Sequence, residues 1–398
     1  MIRKQSWVAK FALLSISLVL TSAYVISVSL PAMERTFPNV SQASIELLAT
    51  LPAFSVMIMV LLSGSIAAKI GNKNTTLIGL IIAGAAGIVP AFSNSYPVIF
   101  GSRLMLGVGL GMFNSLAVSM IGFMYDGKTK ANLMGFRSAF ENMGQSLLIF
   151  IASYLISISW HATFWVYAAA FIVAIFFYVV VPEPQNPQAV SAKQQGDKIH
   201  QHINRKVVGL AIFFFFLVMI HIAILVHLPF IVTGVGYGTA GQAGIITGSM
   251  TIIGVLAAIS YGQIYKALSR YILPIGLACL SIGVLVMAIS HAFWLTLAGA
   301  WVFGIAYPLI AAHMFNSVST VSSPNSETLT AAVLLVGTNS GALLAPYGIK
   351  VLSAITHDAV GTKTFFLLGS LLVVITIGAF AIAVMGSHRR QTSSRASR

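Results

Sequence analysis

The sequence predicts an all-α membrane protein of twelve transmembrane helices, arranged as two pseudo-symmetric six-helix bundles. Three observations lead there. Of 398 residues, 58% are hydrophobic and only 8% charged, whereas soluble domains carry about 25% charged residues. The apolar stretches recur, and each runs near the ~20 residues that cross ~30 Å of hydrocarbon. They do not alternate apolar with polar residues as the strands of a closed barrel would. Finally, a basic stretch from Val181 to Lys206 divides them into two sets of six.

In chain order, spans are expected at 9–32, 46–68, 75–93, 97–123, 132–158 and 161–181, then at 206–232, 240–263, 271–290, 292–318, 327–355 and 362–385. Met1 to Lys10 ahead of the first span resembles the start of a signal peptide. The run from Phe11 to Met33 is too long for a signal core, so it reads as a retained helix. The second span ends in Gly64-Ser-Ile-Ala-Ala-Lys69-Ile-Gly71-Asn-Lys73. The second span of the other half ends in Gly262-Gln-Ile-Tyr-Lys266-Ala-Leu-Ser-Arg270. A glycine followed by a basic turn at matched positions marks the halves as repeats, as in many secondary transporters with a site between their halves. Very short turns are expected at Trp160 and at Ser290. Pro182, Pro184 and Pro187 stop the sixth span, and the Gln/Lys/His-rich residues after it read as a linker. The expected organisation is thus a bundle at 1–181, a linker at 182–205, a bundle at 206–385 and a basic tail at 386–398. The tail, from His388 onward, is expected to lack fixed structure and to lie near anionic headgroups.

A formal charge of +14 raises nucleic acid as a partner. The position of the charges argues against it, because they sit in short loops between apolar spans. Lys69 and Lys73, Lys128 and Lys130, Lys193 to Lys206, Lys266 and Arg270, and Arg389 to Arg398 all fall on one side. Loops with few basic residues fall opposite: Glu34-Arg35, Ser93 to Tyr96 and Ser290 to Ala292. The positive-inside rule places both termini in the cytoplasm, so a multi-pass protein of the cytoplasmic membrane is expected. The single Cys279 lies within a span and allows no disulfide framework.

Two motifs add to this layout. One is the loop beginning at Gly64. The other is Arg103-x-x-x-Gly107-x-Gly109-x-Gly111 in the fourth span. With the six-plus-six arrangement and the central loop, they make the chain resemble the major facilitator superfamily over essentially its whole length. In that family the loop pattern runs Gly, three residues, Asp, a basic residue, any residue, Gly, then basic residues. Gly64, Lys69, Gly71 and Lys73 match it, whereas Ala68 stands at the Asp position. The resemblance implies that this carboxylate helps hold the two halves together in one state, and Ala68 has no carboxylate to offer there. It also implies alternating access around a midplane site lined by helices 1, 4, 5, 7, 8, 10 and 11, and a chain that functions as a monomer.

Glu141 is read as the acidic residue that lies inside a span. A carboxylate in hydrocarbon must pair, face the bundle interior or sit neutral. Arg137, one helical turn earlier, is a candidate partner. Glu141 is therefore either a proton carrier or half of an interfacial ion pair. Arg103, without a charged counterpart at Ala300 to Gly304 in the second half, is a candidate modulator of Glu141 or an anchor for an anionic substrate. The alternative is that it snorkels or caps carbonyls. The fifth and eleventh spans echo each other in Asn142-Met-Gly144 and Asn339-Ser-Gly341. These asparagines, with Gln145 and Thr338 beside them, are candidates for lining a cavity. Tyr24, Asn114, His221 and His313 complete the candidate cavity set. Gly107 with Gly111, and Gly337 with Gly341, are expected to let helices approach closely.

No phosphate-binding loop, metal-ligand cluster or nucleophile elbow is apparent, so an ion gradient, most simply of protons, is the expected energy source and no cofactor is expected. The fifth span lacks the Gly-Pro-x-x-Gly-Gly pattern of the family's drug–proton antiporters. The expectation is a secondary transporter that exports hydrophobic or drug-like compounds with protons. A permease for an organic anion, sugar or nucleoside is the alternative, and a transport-inactive sensor is a third reading resting on Ala68. Substrate and lipid are the expected partners.

Overall fold

The computed structural model describes residues 7–182, 204–268, 271–321, 327–358 and 360–396, so most of the expected linker lies outside the described residues. Among the described residues, twelve long helical segments follow one another. The first, α1, runs Trp7–Leu20, bends by 41° at Thr21 and continues as Ser22–Thr36. After it come α2 (Gln42–Ile70), α3 (Asn72–Phe92), α4 (Tyr96–Met124), α5 (Gly127–Leu155) and α6 (Ala162–Val180). The second half comprises α7 (Arg205–Val235), α8 (Ala240–Leu268), α9 (Ile272–Ile289), α10 (Phe293–Val321), α11 (Glu327–Thr356) and α12 (Thr362–Ala396). The last helix passes the expected end of its span at 385, so helical backbone continues through most of what reads as a structureless tail.

Among the described residues, nine helices are long and apolar enough to cross a membrane, and the bent α1 makes ten. The two that fall short are α5 and α11. They carry Arg137, Glu141, Asn142 and Gln145 in one half, and Thr338 and Asn339 in the other. A spanning helix tolerates such residues where they face protein or a cavity, not lipid.

Local chemistry sets the helix ends. Ser41 caps α2 by accepting the Ser44 N–H at 3.3 Å, and Asn204 caps α7 by accepting the Val207 N–H at 2.9 Å. Both fill donors that a first helical turn leaves open. Gly71, at φ +88°, makes the sharp turn from α2 into α3. Before α12, Asp358 accepts the N–H groups of Lys363 at 2.6 Å and Val360 at 3.1 Å. Burial raises the Asp358 carboxyl, but bonds from the Gly361, Lys363, Val360 and Thr364 backbone outweigh it and hold the group below the usual carboxylate range.

Glycines seat the helices of each half in equivalent ways. Gly107 and Gly111 of α4 lie against Pro52, Ser55, Val56 and Met59 of α2. Gly304 of α10 lies against Met250 and Ile253 of α8. Gly144 of α5 meets the backbone of Leu18 in α1, while Gly341 of α11 meets that of Phe215 in α7. The echoed Asn-x-Gly pairs thus place α5 and α11 against the first helix of their own half, the close approach expected of small residues.

The halves meet at one end and part at the other. Away from the basic loops, Gly241, Gly244 and Gly248 of α8 pack against Ser153 and Phe150 of α5. Ser146 Oγ there donates to the Gly248 carbonyl at 3.0 Å. Thr50 Oγ1 of α2 likewise reaches the Leu343 carbonyl of α11 at 3.4 Å. Toward the basic end, α5 and α8 separate around a cleft of about 500 Å³, lined by Asn132, Phe136 and Asn142 on one side and by Val255, Ala258 and Ile259 on the other. A side chain on Gly244 would occupy the place of Ser153 Oγ and press on Val28. Gly244→Leu is therefore expected to pry this end open. Labelling of a cysteine at Ser157 by a membrane-impermeant maleimide should rise severalfold, and unchanged labelling would show that the end closes elsewhere.

Candidate functional site

The break in α1 builds one wall of the site. Ser22–Ser29 is wound as a 3₁₀ helix, whose tighter turns give poorer internal hydrogen bonds. Two buried side chains take up carbonyls of this stretch. Arg103 Nη2 donates to Ala23 at 2.7 Å, and the Tyr167 hydroxyl donates to Ser22 at 2.9 Å. Arg103 also supports α2. Pro52 has no N–H to offer the Leu48 carbonyl four residues before it, and Arg103 Nε donates to that oxygen at 2.8 Å. Its third nitrogen donates to the Tyr167 hydroxyl at 2.9 Å, and the group is fully buried. Arg103 is not brought to Glu141, nor does it line a cavity. The pairing expected from sequence is corrected here: this cation is occupied by the carbonyls of two broken helices.

With α1 bent, Thr21 and Tyr24 turn toward the space between the halves. A cavity of about 280 Å³ lies there, lined by Thr21, Tyr24, Glu141, Asn142 and Gln145 from the first half. Phe214, Val218, His221, Ile222, Tyr307, Ala311, Thr338, Asn339 and Ala342 line it from the second. Asn142 also lines the wide cleft, so the two spaces adjoin at this residue. Among the residues expected in the cavity, the structure brings together Tyr24, Glu141, Asn142, Gln145, His221, Thr338 and Asn339.

Glu141 is the acid of this cavity, with a quarter of its side chain exposed. Its Oε2 lies 3.6 Å from Arg137 Nη1, and the Thr21 hydroxyl donates to its backbone carbonyl at 3.2 Å. Arg137 Nη2 donates to Asn114 Oδ1 at 3.1 Å, so α4 holds the cation that faces Glu141. Asn114 therefore stands behind the site and not in its wall, which corrects the expectation for that residue. At 3.6 Å the Arg137–Glu141 contact is a loose ion pair and not a hydrogen bond. The carboxylate keeps room for a proton or another cation.

Opposite Glu141, the His221 ring stacks on Tyr307 with centroids 3.8 Å apart and planes within 10°. His221 Nδ1 is buried and has no hydrogen-bond partner among the described residues. Asn142 and Asn339 each donate back to their own helix, to Ser138 and Leu335 at 2.9 Å. Their amide oxygens remain for a ligand. His313 lies instead beside Tyr265, with centroids 6.1 Å apart, below the cavity on α10. The loop motif sits at the basic end. Gly64 has open space around it, Ala68 and Lys69 are exposed, and Lys73 donates to the Tyr178 carbonyl at 2.7 Å.

Sequence reasoning passed over Tyr307 and Thr21, which carry no charge to mark them. It also misjudged Glu46, which reads as the polar edge of a span. Glu46 is 2% exposed and bonded to His227 of the other half, so Glu141 is not alone among acids inside the bundle.

The Major Facilitator Superfamily matches this chain over residues 12–346, and the chain belongs to that superfamily: it is a multi-pass membrane transporter. The bacillibactin exporter of Bacillus subtilis (strain 168) is 29% identical over 163 residues, 38% of this chain and 40% of that protein. The quinolone resistance protein NorA of Staphylococcus aureus is 27% identical over 156 residues, 39% of this chain and 40% of that protein. The matched stretch thus spans 40% of the length of these relatives. Among solved structures, a mutant form of the nucleoside transporter NupG superposes with a TM-score of 0.77 at 15% identity, covering 94% of this chain and 99% of that one. At that identity the likeness is one of fold.

Removing the Arg103 head group strips three buried hydrogen bonds from α1, α2 and α6. Arg103→Met is expected to destabilise the fold by roughly 2–5 kcal/mol. It should lower the unfolding temperature in detergent while any surviving transport keeps its dependence on Glu141. Full stability with lost coupling would return Arg103 to the site.

Proposed function

We propose that this superfamily member is a secondary active transporter that exports hydrophobic or drug-like small molecules in exchange for protons carried by Glu141. The observation that carries the reading is the placement of Glu141. It is a partly exposed carboxylate in a cavity between the halves, loosely paired with Arg137, and the cavity adjoins the cleft toward the basic end at Asn142.

The basic loops argue for the cytoplasm on the open side, with both termini there, in the cytoplasmic membrane. In that orientation the cavity accepts a substrate from the cytoplasm. Tyr24, Phe214, Val218, Ile222, Tyr307 and Ala311 offer it apolar and aromatic surface, and Asn142, Gln145, Thr338 and Asn339 fix its orientation. Binding beside Glu141 favours release of its proton to the cytoplasm, since a substrate group and a proton compete for the same oxygens. The halves then rock, the cavity opens to the other side, and protonation of Glu141 from that side displaces the substrate. The similarity to the bacillibactin exporter supports this direction. The proton gradient is the energy source, with no further cofactor. The working unit is a monomer in lipid whose partner is its substrate.

A metabolite permease is the second reading. It is favoured by Asn142, Gln145, Thr338 and Asn339 in the cavity, which suit a hydrogen-bonding substrate. Its anionic version is weakened because the guanidinium of Arg103 is occupied elsewhere.

The test uses everted vesicles holding an imposed pH gradient. Addition of a transported drug should collapse the gradient in the wild type. In Glu141→Gln that collapse should fall at least tenfold, while exchange of labelled for unlabelled drug persists. Uptake of a nucleoside or sugar without any drug response would establish the permease. Loss of folded protein in Glu141→Gln would reduce the Arg137 contact to a structural pair.

A further inference from the structure

Outside the central cavity, the cleft between α5 and α8 has about 500 Å³ of space, within the ~300–1,000 Å³ typical of ligand sites. Phe136, Val255, Ala258 and Ile259 give it apolar walls, and Asn142 stands at its inner end. Its lips are open. Phe136 is 49% and Ile259 71% exposed, and each belongs to a row of exposed apolar side chains on its own helix. On α5 the row continues through Met143 and Leu147, and on α8 through Leu256 and Ile252. Rows of this kind face lipid tails, which are as apolar as they are. On the inner side both helices pack against the 3₁₀ stretch of α1. The cleft therefore opens sideways into the bilayer.

We propose that this cleft holds one acyl chain of an anionic phospholipid from the leaflet at the basic end, with the headgroup at Lys128 and Lys266. The length fits. From Asn132 to Asn142 the wall of the cleft rises about 15 Å along α5, which is half of the ~30 Å hydrocarbon core and the reach of one leaflet. The charge fits as well. Seven residues make nearly two helical turns, so Lys128 stands in line with Gly135 on α5, and Lys266 in line with Ile259 on α8. Each wall of the cleft thus ends in an exposed lysine at the headgroup level. Among the described residues neither lysine has a carboxylate oxygen within 4.0 Å, although Asp126 lies two positions from Lys128. A basic side chain at the membrane surface favours an anionic headgroup by roughly fivefold. A chain lodged below the two lysines covers apolar walls that α5 and α8 leave apart, and it lies beside the entrance to the cavity at Asn142. The site requires a membrane and the open cleft, and is independent of which substrate the cavity takes.

The experiment uses the full chain in nanodiscs of equal parts phosphatidylglycerol and phosphatidylcholine. In each preparation one of the two lipids carries a photoreactive diazirine in its acyl chain, and crosslinked segments are read by peptide mass spectrometry. Ile172 on α6, 70% exposed, reports ordinary lipid contact. Crosslinks at 132–142 and 255–262 should favour phosphatidylglycerol at least fivefold, whereas those around Ile172 should show no preference. Lys128→Gln with Lys266→Gln, both at the surface, should bring the cleft to the level of Ile172 in headgroup preference. Gly135 has open space where a Cβ would stand, so Gly135→Leu should fill the cleft and lower its crosslinks with both lipids severalfold. Equal labelling by the two lipids in the wild type, or a preference that survives in the double lysine variant, overturns the site. Cleft crosslinks no stronger than those at Ile172, with a photoreactive drug labelling the cleft instead, also overturn it and make the cleft a passage for substrate. If Gly135→Leu fails to fold, the wild type and the lysine variant decide. Failure of the drug assay above, with these crosslinks intact, would remove the export reading and leave the lipid site standing.

Discussion

Hydrocarbon offers no water to an unpaired carbonyl, and this fold can break its helices only where something else supplies the hydrogen bond. Arg103 meets that constraint in the first half. One guanidinium reaches the 3₁₀ stretch of α1, the carbonyl left open by Pro52 in α2, and the hydroxyl of Tyr167 in α6. Tyr167 in turn holds Ser22. Thr21 and Tyr24 enter the central cavity because α1 bends beside them, and α1 bends where these two side chains support it. A buried cation without a carboxylate looks functional in sequence. Its role is instead to make a broken helix affordable.

The cavity itself depends on the least apolar helices. In α5 and α11, a glycine seats the backbone against the first helix of its half, and an asparagine two residues earlier faces the cavity. The same three-residue device, used twice, sets the depth of the polar ring on both sides. The halves then differ in what they add. The first brings Glu141 with its loosely held arginine, and the second brings the stacked His221–Tyr307 pair. A shared scaffold with unlike side chains gives one acid an aromatic wall to face.

Much of this was legible in the sequence because membrane burial is written in length and apolarity. The long apolar helices, the repeat and the Asn-x-Gly echo follow from patterns that hydrocarbon enforces. What was not legible involves distance between residues far apart in the chain. Arg103 and Glu141 are both charges in spans, and only the fold shows that one faces carbonyls and the other a cavity. Asn114 and His313 lie on cavity helices but not on their cavity faces, a difference of a partial helical turn or of depth. Glu46 sits five residues into α2, where a loop residue and a buried one look alike. Its burial depends on His227, 181 positions away. Tyr307 carried no signal beyond a tyrosine before a proline.

The distribution of acids also accounts for which end stands open. At the basic end the family's carboxylate position is Ala68, exposed and without a charge to offer the other half, and Gly64 beside it has nothing packed on it. At the other end a carboxylate and an imidazole meet across the halves, shielded from water, while glycines of α8 let α5 approach closely. A buried hydrogen-bonded pair is strong when complete and costly when one partner is lost, so it favours two arrangements, bonded and hydrated, over anything between them. Closure at this end is therefore steep, whereas closure at the basic end has no such contact at position 68. In this structure the halves accordingly meet where that pair sits and part toward the basic loops.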